Sequence, residues 1–187
     1  MLRFQSLFTN QISTTRRYTT ENKNPNIDRE KLKRIAPNFI YRSFEDIKSQ
    51  GNVTEAKTKT WESRRYLLRS DGFGFSFHHT ILRAGTSTKI RYLNHVEAVL
   101  VVSGKGKIEI VSDDKKDSIF LPLEPGVFYG LGGQEDHFLH IDEGEDLHVS
   151  CAFNPPVAGV EDHNEHGVYP AVNDEGKQYY EYGEDKI

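Results

Sequence analysis

Cysteine is nearly absent from this sequence, since Cys151 is the only one among 187 residues. A single thiol cannot form an intramolecular disulfide, which excludes a disulfide-stapled secreted scaffold. It also excludes a zinc site built from several cysteines. The chain length fits one domain with extensions at its ends.

Long apolar runs and a basic stripe are also missing. No apolar run approaches the about 20 residues that a membrane-spanning helix needs, so we expect no integral membrane protein. Acidic and basic residues are interspersed, and the formal net charge is −4. Because no basic face is evident to contact a phosphate backbone, we expect no nucleic-acid partner.

The first 20 residues contain no acidic side chain. They include Arg3, Arg16 and Arg17 among many Ser and Thr residues and scattered apolar ones. This composition is typical of an organelle-targeting segment, and it predicts a mitochondrial protein. The alternative is a disordered N-terminal tail on a cytoplasmic protein.

Four regions follow from composition. After the targeting segment (residues 1–20), residues 21–39 are polar with two prolines and predict a linker that contains one helical turn at 29–35. A short helix is predicted at 43–49, with Ser43 as its N-cap and Asp46 completing a capping box. Residues 40–170 form the folded domain, and residues 171–187 form an acidic tail.

Short strands separated by Gly-, Pro- and Ser-containing turns fill the folded domain. They are predicted at residues 64–69, 73–83, 96–103, 107–111, 119–121, 127–131, 138–141 and 147–153. This pattern predicts an all-β sandwich or barrel. In the second strand, Phe73, Phe75 and Phe77 alternate onto one face and predict a core, whereas Ser76, His78 and Thr80 on the other face favour a cavity lining.

The strand from Val96 to Val102 is apolar on both faces except at Glu97. A strand of this kind is normally covered on both sides, so we expect a second layer of the chain or a partner subunit against it. Glu97 is then a carboxylate in buried surroundings. Burying an unpaired carboxylate is costly, which favours its neutralisation or binding to a cation.

Two segments resemble the paired motifs of the cupin superfamily, a double-stranded β-helix (jelly-roll) barrel. Gly85, Glu97 and Gly104 keep the spacing of the first motif, while its two histidine positions hold Arg91 and Leu93. The second motif keeps a Pro-Gly turn at 125–126 and its histidine, His137. The resemblance implies an all-β cupin barrel, here preceded by a short helix, that lacks the ordinary three-histidine metal site.

Two interpretations of the remaining polar residues stay open on spacing alone. In the first, Glu97 and His137 bind a metal together with Tyr129, which lies eight residues before His137 and binds once the metal removes its phenolic proton. Such a set favours iron(II), with cobalt, manganese or zinc as other divalent choices. In the second, Tyr129 and His137 are core residues and Glu97 is an ion-pair partner of Arg91.

Longer segments at 61–80, 94–99 and 151–170, the last reading CAFNPPVAGVEDHNEHGVYP, resemble the ectoine synthase family over about residues 40–170. The resemblance implies an iron(II) site at Glu97, Tyr129 and His137 in a homodimeric lyase. The implied reaction closes N-γ-acetyl-L-2,4-diaminobutyrate into ectoine, a compatible solute for osmotic protection, with loss of water.

The resemblance also implies roles around the substrate. Acid–base catalysis falls on Tyr92, His95, Glu161 and His163, and substrate binding falls on Trp61, Arg65, Thr80, Cys151 and Phe153. Trp61 and Phe153 are expected to form walls of the pocket, and Arg65 is expected to bind the substrate carboxylate. Two other functions stay open: a different metal cupin enzyme, such as a dioxygenase or isomerase, and a non-catalytic cupin that binds a compatible solute or sugar.

Overall fold

The computed structural model describes residues 27–112, 115–133, 135–164 and 166–180. Two short helices precede a domain made almost entirely of strands. The helices are α1 (Arg29–Ile35) and α2 (Phe44–Ser49), and the strands are β1 (Val53–Glu55), β2 (Trp61–Leu67), β3 (Ser76–Leu82), β4 (Ser87–Tyr92), β5 (Val96–Ser103), β6 (Gly106–Val111), β7 (Ser118–Leu123), β8 (Phe128–Leu131), β9 (His137–Ile141), β10 (Leu147–Asn154), β11 (Val168–Tyr169), β12 (Ala171–Val172) and β13 (Gln178–Tyr179).

The strands form two large sheets. One has the order β1-β2-β3-β10-β5-β8 and the other β11-β4-β9-β6-β7, while β12 and β13 form a separate hairpin. Along the chain, β3, β5, β8 and β10 alternate with β4, β6 and β9 of the opposite sheet. This alternation is the jelly-roll arrangement, so the predicted all-β cupin barrel is confirmed.

The two predicted helical segments are present. At α2 the Ser43 hydroxyl accepts a hydrogen bond from the Asp46 backbone N–H, and the Asp46 carboxylate accepts one from the Ser43 backbone N–H. This capping box satisfies N–H groups that the first helical turn leaves without partners. The predicted helical turn in the linker is α1. The Asp28 side chain caps it by accepting a hydrogen bond from the Lys31 backbone N–H.

Strand β5 has the predicted bounds, but its outer face differs from one of the two expectations. Val99 and Val101 point inward and are buried, whereas Leu100 is 46% exposed and Val102 is 52% exposed. No second layer covers this outer face within the described residues. The expectation of a covering layer from the same chain is therefore wrong, and the expectation of a partner subunit remains.

The phenylalanines before and within β3 also correct the sequence analysis. Phe73, Phe75 and Phe77 are 46%, 38% and 37% exposed, so they do not form a core in the single chain. Their alternation was read correctly, but the buried face of β3 is the opposite one, with Ser76 and His78 inside. This polar face is turned toward the barrel interior, where it lines a cavity.

The backbone requires glycine at position 104, the last residue of the first cupin motif. Its φ is +81°, and a Cβ added there would fall on the backbone carbonyl oxygen of Asp146. Only glycine permits both the left-handed backbone and this close approach. The glycine thus allows the turn after β5 to pack against the residue that precedes β10.

Candidate active site

A narrow cavity of about 40 Å³ lies between the two sheets, with space for roughly three water molecules. Nine of the twelve sequence-predicted site residues line it: Trp61, Arg65, Thr80, Tyr92, Glu97, Tyr129, Cys151, Phe153 and His163. The other three, His95, His137 and Glu161, are buried close to it but are not part of its lining. The structure therefore gathers most of the predicted residues at one place.

Strand register explains how distant residues reach this cavity. One inward-facing row crosses five strands of the larger sheet and consists of Arg65, His78, Cys151, Val99 and Tyr129, each paired with the next. Because side chains alternate across a strand, residues two positions away share the same inner face. Glu97 and Phe153 are paired in this way, two residues from Val99 and Cys151.

The carboxylate of Glu97 is buried inside the barrel. Burial raises the pKa of Glu97 to about 7, although hydrogen bonds from the Cys151 thiol and the Tyr92 hydroxyl oppose this shift. Among the described residues no arginine or lysine neutralises the group, and Arg91 lies instead 3.7 Å from Asp136. The alternative in which Glu97 pairs with Arg91 is therefore wrong, and a nearby cation would favour the ionised form.

The three predicted metal ligands come from both sheets. Glu97 and Tyr129 line the cavity on β5 and β8, and His137 begins β9 on the opposite sheet, its ring 6.2 Å from that of Tyr92. The Nδ1 of His137 lies 3.1 Å from the Glu135 carbonyl oxygen, while its buried Nε2 has no partner among the described residues. A histidine held through one nitrogen with the other free is the usual state of a metal ligand.

The donor set fits a divalent metal only if tyrosine takes part. Within the described ranges, no three His, Cys, Asp or Glu side chains are grouped to hold a metal ion. Tyr129 is the residue that would supply the missing oxygen, and burial and the neighbouring Glu97 raise its pKa well above the ordinary value. A bound cation would reverse this effect and stabilise the phenolate.

His78 is a cavity residue to which the sequence analysis assigned no catalytic or binding role. It is 2% exposed, its Nδ1 lies 3.3 Å from the Ser63 hydroxyl, and its Nε2 has no partner among the described residues. Burial, followed by the charge of Arg65, lowers its pKa well below the ordinary value, so the ring is neutral. The alternation of polar residues on β3 was the signal for it.

The outer mouth of the cavity is a depression of about 700 Å³ whose lining includes Trp61 and His163. These two rings also line the interior and meet edge-on, with centroids 5.3 Å apart. Both ring nitrogens of His163 are buried and have no partner among the described residues. Burial is the main reason that the pKa of His163 falls to about 3, which makes this ring neutral.

Residues 155–167 form a loop that carries Glu161 and His163. Glu161 is 1% exposed, and its two carboxylate oxygens accept hydrogen bonds from the backbone N–H groups of Ala158 (2.6 Å) and Gly159 (2.7 Å). Arg65 donates to the carbonyl oxygens of Gly159 and Glu161. In this arrangement Glu161 holds the loop in shape and does not face the cavity, and both terminal nitrogens of Arg65 are already engaged.

His95 has a similar supporting position. Its Nδ1 lies 2.7 Å from the Pro155 carbonyl oxygen, and its ring contacts those of Phe153 and Tyr169 edge-on. Tyr169, which the sequence analysis did not select, lines the cavity and packs 4.8 Å from the His163 ring. The aromatic rings thus connect His95, which contacts the first residue of the loop, to His163 within the loop.

The targeting prediction concerns residues 1–20, which lie outside the described residues. L-ectoine synthases similar to this chain come from bacteria, which contradicts the prediction of a mitochondrial protein. In the part of the chain that the structure describes, no helix combines the length and the apolar character needed to cross a membrane.

Comparison with known proteins gives a consistent result. The family model described as ectoine synthase matches residues 39–173. L-ectoine synthase of Desulfatibacillum aliphaticivorans is 42% identical over 136 residues, covering 73% of this chain and all of the relative. That of Halalkalibacterium halodurans is 44% identical over 125 residues, covering 67% of this chain and 92% of the relative.

A solved structure agrees with the sequence relatives. The crystal structure of ectoine synthase from P. lautus superposes with a TM-score of 0.57 and is 40% identical, covering 65% of this chain and 81% of that one. The matched range contains both sheets and every predicted site residue. The chain belongs to the ectoine synthase family.

Proposed function

We propose that this chain closes N-γ-acetyl-L-2,4-diaminobutyrate into ectoine and releases water, and that the reaction takes place in the cavity lined by Glu97, Tyr129 and His163. The observation that carries the proposal is a narrow pocket with a buried carboxylate on one side and, around it, neutral imidazoles whose nitrogens have no partner among the described residues. In the reaction the α-nitrogen bonds to the amide carbonyl carbon. The carbonyl oxygen then leaves as water, with two protons released from the nitrogens.

Glu97, Tyr129 and His137 are the residues that would hold a divalent metal ion, iron(II) being our preferred choice. The support is the buried Glu97 carboxylate with no cationic side chain on it, together with the free Nε2 of His137. The chemistry supplied by such an ion is Lewis-acid polarisation of the amide carbonyl. Tyr92 keeps Glu97 in place through its hydrogen bond and retains its own proton, because burial raises its pKa well above the ordinary value.

The amine attacks only after it has lost a proton, so an acceptor must lie beside it. His163 lines the cavity and has two buried nitrogens without partners among the described residues, so it can accept a hydrogen bond from the neutral amine, while the fall of its pKa to about 3 disfavours protonation of the ring itself. His78 has the same properties at its Nε2 on the opposite wall. The two rings give the substrate nitrogens hydrogen-bond partners that burial has left unsatisfied.

The walls of the cavity fold the flexible substrate into a ring-like shape. Trp61, Phe153 and Tyr169 supply flat apolar surfaces that orient the substrate. Orientation of this kind can lower the barrier to ring closure by several kcal/mol. Thr80 and Cys151 supply small polar groups on the same wall, with the Cys151 thiol 3.9 Å from the Thr80 hydroxyl. The enclosed interior also limits the reverse reaction with water.

The test is incubation of purified, iron(II)-loaded protein with N-γ-acetyl-L-2,4-diaminobutyrate, followed by mass spectrometry. We expect a product that is lighter by one water and that coelutes with ectoine. Binding of the substrate or of ectoine without turnover would contradict the proposal and favour a solute-binding protein. Consumption of oxygen with another substrate, and none of this product, would favour a different metal cupin enzyme.

The partner in our proposal is a second copy of the chain, seated on the outer face of β5 and β8. Two rows in register cross this face: Phe77, Ala152, Ala98 and Gly130, and next to it His79, Ser150, Leu100 and Phe128. The two alanines and the glycine of the first row allow close approach of another subunit. Beside them, Leu100 is 46% exposed and Phe128 is 66% exposed. An apolar face of this kind marks a protein interface.

Light scattering coupled to size exclusion tests the dimer. We expect the wild-type chain to elute as a dimer and Leu100→Glu to elute as a monomer, because the charge would be buried without a partner. Lys107→Glu, on the outer face of the other sheet, is the matched control and should remain dimeric. A monomeric wild-type protein would overturn this part of the proposal.

A further inference from the structure

The hairpin formed by β12 and β13 lies against the outside of the loop at residues 155–167. Asn173 shapes its turn, because the Asn173 side-chain oxygen accepts hydrogen bonds from the backbone N–H groups of Glu175 and Lys177. Gly176 then supplies the left-handed backbone at φ +81° that the turn requires. Strand β13 follows residue 173, the last one that the family model matches.

Two side chains of this hairpin donate hydrogen bonds to the backbone of the loop. The Gln178 side-chain amide donates to the Val160 carbonyl oxygen at 2.6 Å, and the Tyr180 hydroxyl donates to that of Asp162 at 3.1 Å. The single hydroxyl proton of Tyr180 is shared between the Asp162 carbonyl oxygen and the Gln178 side-chain oxygen, which is the nearer acceptor at 2.7 Å, so Gln178 also orients this hydroxyl.

Arg65 holds the same loop from the inside through the carbonyl oxygens of Gly159 and Glu161. Four consecutive carbonyls, at residues 159 to 162, are therefore bound alternately from the barrel interior and from the hairpin. His163 is the next residue. Since a backbone held on both sides cannot rotate freely, the direction in which His163 enters the cavity is fixed by both sets of contacts.

Arg69 ties the base of the hairpin to the start of the loop. Its guanidinium donates to the Val172 carbonyl oxygen at 3.1 Å and to those of Pro156 and Asn173 at 3.4 Å. Gln178 and Tyr180 also line a depression shared with His163 at the mouth of the site. The hairpin thus shares a surface depression with His163.

We propose that Gln178 and Tyr180 are positioning residues, which act by holding the loop so that His163 faces the cavity and packs against Trp61. This inference rests on the proposed function for its catalytic consequence, but the contact between hairpin and loop stands independently of it. The residues do not touch the reacting atoms. Their effect passes through the Val160 and Asp162 carbonyls to His163.

The test uses the fluorescence of Trp61, the single tryptophan of the chain, which packs edge-on against His163. In full-length protein, Gln178→Glu removes the amide donor but keeps the oxygen that faces Tyr180, and Tyr180→Phe removes only the hydroxyl. We expect loosened loop conformations to become about fivefold more populated for each hydrogen bond lost. Acrylamide should then quench the fluorescence of Trp61 more strongly. The variant with the larger rise in quenching should also show the larger fall in kcat.

Two further variants make the result specific. Tyr179→Phe is the matched control, because its hydroxyl bonds to Asn173 within the hairpin and not to the loop, so it should leave quenching and kcat unchanged. Gln178→Lys restores a donor and should recover much of the loss. If Gln178→Glu fails to fold, the Tyr180→Phe variant carries the test.

A lower melting temperature with wild-type quenching and wild-type kcat would mean that the hairpin only stabilises the fold, and it would overturn the proposal. Quenching that rises equally in Tyr179→Phe would overturn it as well. A wild-type protein that does not convert the diaminobutyrate derivative contradicts the proposed function alone. The quenching of Trp61 still decides the contact between hairpin and loop in that case.

Discussion

The imidazole of His163 meets the indole of Trp61 edge-on at 5.3 Å, where the outer mouth joins the interior cavity. Both rings line the interior cavity as well as the outer depression, so they form the boundary between these two spaces. Trp61 begins β2, and His163 follows four carbonyls that are bound from the barrel interior and from the hairpin. The fold therefore sets the positions of both rings.

Trp61→Ala is expected to keep its metal and lose most of its turnover. The substitution removes a wall that folds the substrate, while Glu97, Tyr129 and His137 stay in place. Orientation by one aromatic wall is worth about 2 kcal/mol or more, which is roughly a thirtyfold loss in kcat/KM. Metal analysis and steady-state kinetics on the same preparation provide the check, and unchanged turnover would make Trp61 a structural residue.

Substitution of the proposed ligands should release the metal. Glu97→Gln, Tyr129→Phe and His137→Gln each remove one of three donors, and we expect metal affinity to fall at least about tenfold, since even supporting groups cost that much. Competition with a chromogenic chelator measures it. Glu109→Gln changes a carboxylate that faces outward to His140 and should bind metal normally. Full occupancy in all three ligand variants would refute the site.

His78→Asn tests the cavity residue that was not selected from sequence. If its Nε2 accepts a hydrogen bond from the substrate amine, kcat/KM should fall about tenfold or more, because bonds to charged groups are worth about 1.5–3 kcal/mol. His79→Asn is the comparison on the same strand, since His79 points to the outer face and contacts His148. Equal losses in both variants would indicate a general effect on β3.

The buried neutral histidines predict a dependence of stability on pH. In the folded chain the pKa of His163 is about 3, against an ordinary value of 6.5, and that of His78 is also lowered well below 6.5. The unfolded chain therefore takes up protons below pH 6.5 that the folded chain does not. Their contribution to stability is complete above pH 6.5 and is lost as the pH falls toward the folded pKa values.

Urea unfolding of the metal-free protein at about pH 7 and about pH 5 measures this effect. Each pH unit below 6.5 should cost about 1.4 kcal/mol per histidine that stays neutral. The His163→Asn variant should show a flatter dependence. The raised pKa of Glu97 acts in the opposite direction, because the folded chain then takes up a proton before the unfolded chain does. The difference between the wild type and His163→Asn therefore carries the test, and equal slopes in the two proteins would contradict the assignment of His163 as neutral.

Sequence patterns predicted the elements in which local chemistry decides the structure. Helix α2 was identified by its capping box, and the bounds of β5 by a run of β-branched residues. The same reasoning missed β4, whose STKIRY sequence is largely polar and whose inner face includes Thr88. It also missed β1 and β11, which are two or three residues long and exist only through pairing with neighbours.

The site was less accessible from sequence where contacts join distant residues. Arg65 lines the cavity as expected for a residue that binds the substrate carboxylate, a role that stays a prediction, but its terminal nitrogens also bind loop carbonyls 94 and 96 residues away, which spacing did not indicate. Glu161 was expected to transfer protons, yet its oxygens hold two backbone N–H groups. Motif spacing identifies which residues gather at a site, but it does not show which of them face the cavity and which support those that do.

The exposed apolar rows on β5 and β8 have a consequence for how the protein responds to dilution. If a second copy covers them, folding and association are one equilibrium, because the covered surface contributes to the free energy of the native state. The midpoint of thermal unfolding should then rise with protein concentration. In a cell, the amount of active enzyme would vary more steeply than the amount of chain synthesised, since scarce subunits would spend more time apart.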